Sequence, residues 1–287
     1  MYSPSKFYMR HVHDRLLKQR QPYTIMPDVA FLTKDLIILP SSSIQGHGFI
    51  TFEVRSLQAG LPVFRCQFPL LKRAYNPHFL KHPVSNHGPH CPTRYAKVFL
   101  PDPRVSILPI LFEPIGGSPT VQFTVVLSVN RFMNRCRSIL DKSVNQSVPL
   151  IPWDQWGPAV TRWLPPDILG HYGSRMVWGS RMLALLRTEI PHGIRFRTVL
   201  MDFNPRAMHR VRTSEEDDDG FTLRVTDQET VWAFSNIRVT SCLPYRAWTS
   251  TLDHRYRNLS LEANTIVGRL VSGSLIVLLH RTIDATF

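Results

Sequence analysis

Short apolar runs interrupted by turn residues are the feature of this sequence that most limits its fold. In residues 49–54 and 63–68 apolar residues alternate with polar ones, which is the two-residue period of a half-buried strand. The chain has 23 prolines among its 287 residues, and proline interrupts helix interiors and central strands alike. Strand-like runs do not alternate with long helical ones, which excludes a parallel βαβ sheet. The sequence therefore predicts an all-β fold of antiparallel meanders.

Two stretches refine this prediction. Four strand-like runs fall between residues 29 and 68, which is the content of one meander or one propeller blade. Apolar residues from Phe132 to Leu140 repeat at the spacing of one helical face. That spacing predicts a single short helix near residues 131–140, whose role is to pack against the core.

The chain is predicted to form one domain behind a flexible tail. Residues 1–22 are polar and basic without a clear period, and a single β-rich domain is predicted for residues 23–287. Long loops are predicted at 72–94 and 141–150, and an acidic turn at 213–220.

The net charge of +13, from 34 basic and 21 acidic residues, raises the question of nucleic-acid binding. Nucleic-acid binders usually concentrate their charge on one face or one helix. Here the arginines are spread along the chain, with denser groups only at 131–137 and 206–212. Hydrophobic residues at 43% against 19% charged exclude wholesale disorder. A basic β-protein with nucleic-acid association stays an alternative, with non-specific phosphate attraction as its expected form.

No segment has the features of a secretory signal or a membrane span. Basic residues near the start are not followed by an apolar run of about 7–15 residues, and no apolar run reaches the roughly 18–20 residues that cross a bilayer. The protein is therefore predicted to be intracellular, cytoplasmic or nuclear, without membrane partners. Cys66, Cys91, Cys136 and Cys242 contain no C-x-x-C pair, so neither a disulfide framework nor a zinc ribbon is expected.

Four histidines and a cysteine within fourteen residues are the best candidates for metal ligands. His78 and His82 have the spacing of a zinc pair, but no second close pair containing cysteine accompanies them. A solvated loop is the favoured interpretation, so no metal or other cofactor is expected. The weak candidate ligands are His78, His82, His87, His90 and Cys91.

The sequence gives even weaker signs of a catalytic site than of a metal site. Asp154, Asp167 and Asp202 are the acids nearest to ordered segments, but no histidine accompanies them at a meaningful spacing. Neither a phosphate-binding glycine motif nor a nucleophile elbow occurs. The chain is therefore not expected to be an enzyme, and a hydrolase is a distant alternative.

A group of motifs in the second half of the chain is more specific. They read Pro152-Trp-Asp-Gln-Trp-Gly-Pro, Thr161-Arg-Trp, Tyr172-Gly-Ser-Arg-Met, Val199-Leu-Met-Asp-Phe-Asn-Pro and Ser241-Cys-Leu-Pro-Tyr-Arg. In this order they resemble motifs of the region downstream of the F-box in a large family of basidiomycete fungal F-box-type proteins. The resemblance covers roughly residues 22–280. The motif residues, for which a structural role is favoured, are Trp153, Asp154, Trp156, Gly157, Pro158, Arg162, Trp163, Tyr172, Gly173, Arg175, Asp202, Phe203, Asn204, Pro205, Leu243, Pro244 and Tyr245.

These motifs also have a physical interpretation of their own. The tryptophan motif predicts a tight turn in which Gly157 takes a positive φ and Pro158 ends strand pairing. Its indoles are expected to wedge that turn onto the sheet. Asp202 and Asn204 predict a strand-terminating turn in which their side chains bond backbone N–H groups.

The resemblance implies a function as well as a fold. Proteins of this family carry an N-terminal F-box that docks a Skp-type adaptor of a cullin–RING ubiquitin ligase, followed by a β-rich, propeller-like (WD40-like) region that receives substrates. This chain departs from the pattern, because residues 1–27 are too short for the three helices of an F-box, which leaves direct adaptor docking in doubt. The segment that begins at Leu164 mimics the start of an F-box, but strand-like sequence follows it. We therefore expect a non-enzymatic protein-binding module with a closed or incomplete propeller-like fold.

Overall fold

The computed structural model describes most of the chain between residues 28 and 280. The described residues are 28–42, 50–71, 74–80, 105–115, 122–141, 148–165, 167–170, 177–191, 193–205, 221–234, 237–253, 256–262, 265–270 and 276–280. The predicted tail at 1–22, the acidic turn at 213–220 and residues 81–94 of the predicted loop lie outside them.

Strands dominate the described chain, which confirms the predicted all-β class. The first part contains β1 (Ala30–Phe31), β2 (Leu36–Ser42), β3 (Ile50–Ser56), β4 (Pro62–Gln67), β5 (Tyr75–Phe79), β6 (Ile107–Pro114), β7 (Phe123–Ser128), α1 (Val129–Leu140), β8 (Leu150–Ile151), α2 (Trp153–Val160) and β9 (Thr161–Trp163). There follow β10 (Ile168–Gly170), β11 (Val177–Trp178), β12 (Arg181–Ile190), β13 (Gly193–Asp202), β14 (Phe221–Thr226), β15 (Thr230–Phe234), β16 (Ile237–Ser241), β17 (Tyr245–Asp253), β18 (Tyr256–Glu262), β19 (Thr265–Leu270) and β20 (Ile276–His280). Neither helix in these ranges has the length and apolar character that a bilayer span requires.

Within the described ranges the strands form five sheets. The first sheet has the order β1-β2-β3-β4-β8 and the second the order β5-β6-β7-β9. The third runs β10-β12-β13-β17-β14, with β11 paired to β12 beside that path. β15 and β16 form a hairpin, and β18, β19 and β20 form a three-stranded meander. These pairings are antiparallel except for that of β4 with β8, so the predicted antiparallel meanders are confirmed.

A first hydrophobic core lies between the first and second sheets. Val54 and Phe64 reach it from the first sheet, and Phe112 and Val125 reach it from the second. The side chain of Phe132 joins them from α1. On β3 and β4 only alternate residues take part, so one face of the first sheet points away from this core.

The central strands of the second sheet, β6 and β7, are buried on both faces. On β6, Leu108, Ile110 and Phe112 belong to the first core. The intervening Ile107 and Leu111 belong to a second core that the third sheet shares. Because successive strand residues point to opposite faces, such a strand reads as a continuous apolar run rather than an alternating one.

The part of the third sheet around Met182 and Val199 is also covered on both faces. Met182 and Val199 face the second core, whereas their neighbours Leu183 and Leu200 face a third core. Leu261 of β18 completes that third core. The first, second and third sheets therefore pack face to face in chain order, whereas Val239 of the β15–β16 hairpin reaches the first core.

α1 confirms the predicted helix, which begins at Val129 rather than at 131. Phe132 and Cys136 are buried on its inner face. Arg135 and Arg137 are exposed on the opposite face, where the sequence pattern places solvated charge. Arg137 also lies in the last turn, where a cation is favoured by the partial negative charge of the helix C-terminus.

The prediction of a loop throughout residues 72–94 is wrong for Tyr75–Phe79, which forms β5. Pro77 favoured the loop, because proline lacks the N–H that a central strand needs. β5, however, lies at the edge of the second sheet, where that donor is not required. In the same way Leu150, placed by the sequence in the loop at 141–150, begins the short edge strand β8.

Candidate functional site

The tryptophan motif forms the helix α2, so the predicted tight turn is wrong. Pro152 leads into the helix with an extended backbone, and Asp154 lies in the first turn, where a carboxylate is favoured. Gly157 lies inside the helix and does not have a positive φ. A Cβ at this position would lie 2.3 Å from ring atoms of Trp153, so glycine is required here by the close approach of the indole. Pro158, predicted to end strand pairing, is a residue of the same helix.

Three aromatic rings stack in the first core next to α2. Trp163 lies between Phe68 and Phe123, with centroid distances of 5.4 and 4.9 Å. Trp156 is buried as well, and its indole N–H donates to the carbonyl of Gln67 at 3.1 Å. The indoles therefore hold the motif onto the sheet as predicted, but they hold a helix rather than a turn.

Arg162, the middle residue of the Thr-Arg-Trp motif, is only 1% exposed. Its Nε donates to the carbonyl of Leu243 at 2.5 Å, and its two terminal nitrogens donate to the hydroxyl of Thr230 at 2.7 Å and to the carbonyl of Gln228 at 3.1 Å. The guanidinium carbon also lies 5.5 Å from the ring centroid of Tyr245. Burial lowers the pKa of Arg162, because a charge is less favourable away from water. This side chain joins β9 to two later parts of the chain through neutral acceptors.

The Leu-Pro-Tyr motif lies beside this strand, although the two are far apart in the sequence. The amide of Leu243 donates to the carbonyl of Thr161 at 3.1 Å. The amide of Trp163 donates to the hydroxyl of Ser241 at 3.2 Å. Leu243 is buried in the second core, and Pro244 is half-buried. The two motifs are therefore parts of one packed unit.

Asp202 ends β13 and is only 1% exposed. Its carboxylate accepts hydrogen bonds from the backbone amide of Asn204 at 2.9 Å and from the hydroxyl of Ser180 at 2.7 Å. Nitrogens of Arg181 and Arg246 lie 3.4 and 3.5 Å from it. The predicted strand-terminating turn is confirmed for Asp202, and the two guanidinium groups neutralise the buried charge.

The second core brings three of the motifs together. The ring of Phe203 lies 5.5 Å from that of Tyr245, over which Arg162 is placed. Pro205, which follows the Asp-Phe-Asn sequence, is half-buried. Phe203, Tyr245 and Arg162, which belong to three different motifs, therefore lie next to one another.

The predicted metal ligands are only partly within the described chain. His78 lies on β5 with its Nε2 3.3 Å from the carboxylate of Glu113 on β6, which also accepts from Gln122 at 2.6 Å. Among the described residues no three metal-ligating side chains come together. Tyr172, Gly173 and Arg175 of the motifs, and the candidate ligands His82, His87, His90 and Cys91, lie outside the described residues.

The three carboxylates considered for catalysis lie in different surroundings. Asp154 is exposed on α2, and Asp167 is exposed just before β10. Asp202 is buried, and its partners are a hydroxyl, a backbone amide and two guanidinium groups. The described surroundings of these acids therefore give no support to a histidine–carboxylate pair.

Comparisons with known proteins assign no function to this arrangement. No protein-family model, curated protein or solved structure matches the chain. The candidate site is therefore identified from the physical character of the described surface.

Four exposed aliphatic residues lie on, or just before, the neighbouring strands β4 and β8 of the first sheet, and we name them the aliphatic patch. They are Leu61, Val63, Val148 and Leu150, with exposures of 65, 40, 40 and 54%. Arg65 is paired with Leu150 across the parallel β4–β8 contact, and its amide donates to the carbonyl before Leu150 at 2.8 Å. Val63 and Val148 each lie two residues earlier on these two segments. The patch is thus formed by two segments from distant parts of the sequence.

A charged group borders the aliphatic patch. Glu53 on β3 is 3% exposed, and both Arg55 and Arg65 donate to its carboxylate, the latter at 2.8 Å. Burial raises the pKa of Glu53, but the hydrogen bonds and positive charges of the two arginines outweigh it, and the pKa is held below its ordinary value. One carboxylate thus faces two guanidinium groups, and the border of the patch keeps a net positive charge.

The sequence contained one signal for the patch. In the alternating run at residues 63–68, Phe64 and Cys66 are the inward residues, so the positions beside them are expected to be polar. Val63 breaks that rule, because it is an aliphatic residue on the outward side of the strand. The pairing that adds Leu150 to it joins segments too distant for sequence periodicity to reveal.

Proposed function

We propose that this chain is a non-enzymatic protein-binding module, and that its aliphatic patch receives a segment of another protein. The patch is the observation that carries the proposal. Apolar patches bordered by polar groups mark interaction sites on soluble proteins. The motif tryptophans and Arg162, by contrast, are already engaged by their own chain.

The expected partner segment has aliphatic side chains next to a carboxylate. The aliphatic side chains would cover Val63 and Leu150, which are 40 and 54% exposed. The carboxylate would meet Arg65, whose side chain is 49% exposed although it also pairs with Glu53. The net charge of +13 favours the same choice, because a positive field speeds the approach of an acidic segment.

The partner is expected to bind through side chains rather than by adding a strand. β8 contains only Leu150 and Ile151 and lies at the edge of the first sheet. Pro149 and Pro152 flank it on either side. Proline has no N–H to donate to a new strand, so strand addition at this edge would be short.

The proposal includes a propeller-like arrangement of the sheets. β1 to β4 form a four-stranded antiparallel meander, which is the strand content of a propeller blade. The first, second and third sheets then pack face to face in chain order. Both features support blades that succeed one another along the chain.

The resemblance to basidiomycete F-box-type proteins narrows the class of partner. In that family the region downstream of the F-box receives the proteins that a cullin–RING ubiquitin ligase modifies. On this basis the segment bound by the patch would belong to a ubiquitin-ligase substrate, and binding would take place inside the cell, in the cytoplasm or nucleus.

Selection from a random peptide library displayed on phage tests the proposal. The wild-type chain should enrich peptides with aliphatic residues next to Asp or Glu. The double variant Val63→Asp/Leu150→Asp should not enrich these peptides, because it places two negative charges where the acidic peptide would bind. Val231→Asp is the matched control, since Val231 is 43% exposed on β15, outside the patch.

The outcomes of this selection separate the alternatives. Enrichment of the same peptides by the double variant, or no enrichment at all, would refute the proposal. Light scattering of the wild-type chain that shows a dimer, lost in the double variant, would identify a second copy as the occupant of the patch instead.

Nucleic-acid association is the second candidate, favoured by the net charge of +13. It predicts binding to single-stranded RNA that weakens steeply with salt, because bound phosphates release counterions. In the Val63→Asp/Leu150→Asp variant, RNA affinity should fall only as far as the two added negative charges reduce it. RNA binding without peptide enrichment would make this the better description.

A further inference from the structure

We propose that Cys66 and Cys136 are a disulfide-forming pair, a redox modification site that cross-links β4 to α1. Their sulfur atoms lie 3.9 Å apart, although 70 positions separate the two residues. This inference goes beyond the proposed function and does not depend on it.

The two sulfurs are in contact at an interface between a strand and a helix. Both cysteines are fully buried, on the inner face of β4 and the inner face of α1. Phe64 lies two positions before Cys66 and Phe132 four positions before Cys136, and their rings are 6.1 Å apart across the same interface. A disulfide requires about 2.05 Å between sulfurs. The sulfurs therefore need to approach by about 2 Å from contacts that they already make.

The same interface protects the thiols while it is closed. The thiolate is the reacting form, and burial raises the pKa of Cys66, which disfavours that form. Oxidation therefore requires a transient separation of α1 from β4. Re-closure of the interface then returns the two sulfurs to contact and selects this pair over other pairings.

The oxidant is a low-molecular-weight disulfide such as glutathione disulfide. One cysteine thiolate attacks it, forms a mixed disulfide and releases one glutathione thiolate. The second cysteine then attacks the mixed disulfide, which forms the Cys66–Cys136 bond and releases the second glutathione. Overall the two protein thiols lose two electrons and two protons, and one glutathione disulfide becomes two glutathione thiols.

Cys242 differs from the pair and provides a matched control. It is half-buried, and its Sγ lies 3.8 Å from the carboxylate of Glu229. Burial and the negative charge of Glu229 raise its pKa. No cysteine sulfur is described in contact with it within the ranges that the structure describes.

The test is disulfide mapping of the wild-type chain after exposure to glutathione disulfide. The chain is treated in buffer alone and in mild urea, free thiols are alkylated, and peptides are identified by mass spectrometry. We expect the Cys66–Cys136 peptide pair to dominate in mild urea and to form slowly in buffer alone. The oxidised protein should have a higher Tm than the reduced one, since a closed loop restricts the unfolded chain, and dithiothreitol should reverse the rise.

Two variants and one negative result complete the test. Cys242→Ser should leave formation of the disulfide and the Tm rise intact, whereas Cys136→Ser should abolish both. The proposal is overturned if Cys66 and Cys136 are both alkylated as free thiols after oxidation in mild urea, or if either one pairs mainly with another cysteine. This readout on the wild-type chain does not depend on whether a variant folds.

Discussion

Arg162 and Arg65 carry the same type of side chain but have opposite surroundings in the structure. Arg162 is 1% exposed, and each nitrogen of its guanidinium donates to an acceptor of its own chain. Arg65 has a side chain that is 49% exposed, and it shares the carboxylate of Glu53 with Arg55. The first arginine joins separate parts of the fold, and about half of the second is open to solvent. Residue type and motif membership therefore say less about function than the surroundings of the side chain.

Arg162→Leu should have the largest effect on stability. The substitution leaves the carbonyl of the buried Leu243 without its donor and removes the bonds to Thr230 and Gln228. An unsatisfied buried acceptor costs about 1–3 kcal/mol and each lost hydrogen bond about 0.5–1.5 kcal/mol, so we expect a loss of about 2–4 kcal/mol in the free energy of unfolding. Urea denaturation measures it. Arg162→Lys keeps the positive charge but not the forked geometry. Its free energy of unfolding should therefore lie between those of the wild type and Arg162→Leu. A loss below about 1 kcal/mol for Arg162→Leu would show that the hydrogen bonds of Arg162 do not stabilise the fold as inferred.

Gly157→Ala should have the next largest effect. The added Cβ would lie 2.3 Å from the indole of Trp153, so the ring must move within the first core. Overpacking costs about 1–3 kcal/mol, and the better helix propensity of alanine returns up to about 1 kcal/mol. We expect a net loss of about 1–2 kcal/mol by urea denaturation. Gln155→Ala on the exposed face of α2 is the control and should change little.

Glu53→Gln removes the single carboxylate between Arg55 and Arg65. We expect a loss of about 1 kcal/mol near neutral pH, since hydrogen bonds to charged groups are worth more than neutral ones. Because folding lowers the pKa of Glu53, its stabilisation is present above the unfolded pKa of about 4.3 and is lost as pH falls through the folded value. The stability curves of wild type and variant should therefore converge in acid. A constant difference across that range would show that Glu53 does not titrate as inferred.

The strand content of the fold could be predicted because local patterns report on burial. The run on β6 is apolar at consecutive positions, and the structure buries it on both faces. The apolar spacing from Phe132 onward likewise predicts α1. These features depend on neighbours within one element, so sequence periodicity is sufficient to find them.

Other elements could not be predicted, because distant residues decide them. Gly157 and Pro158 favour a turn locally, but the segment is a helix whose Trp156 donates to the carbonyl of Gln67, 89 positions away. Pro77 favours a loop until β5 is placed at a sheet edge. The burial of Arg162 depends on Leu243, which is 81 positions away. Long-range contacts of this kind leave no periodic trace in the sequence.

The smallest expected effect on stability comes from Arg65→Leu, the counterpart of Arg162→Leu. Glu53 keeps Arg55 as a partner, and because Arg65 is about half exposed its loss should cost no more than a surface ion pair, about 0.2–1 kcal/mol. We therefore expect a loss of about 0.5 kcal/mol in the free energy of unfolding.

Binding should respond differently from stability at this position. Peptides selected by the wild-type chain should bind Arg65→Leu about three- to fivefold more weakly, since one carboxylate loses its exposed partner. The same peptides with their carboxylate replaced by an amide should bind wild type and variant equally, as measured by fluorescence anisotropy. If the amide peptides also lose affinity for the variant, Arg65 acts through packing rather than charge. Equal affinity of the acidic peptides for both proteins would show that the charge of Arg65 does not contribute to binding and that the aliphatic patch alone accounts for it. Paired with the effect of Arg162→Leu, this measurement separates an arginine that stabilises the fold from one that recognises a partner.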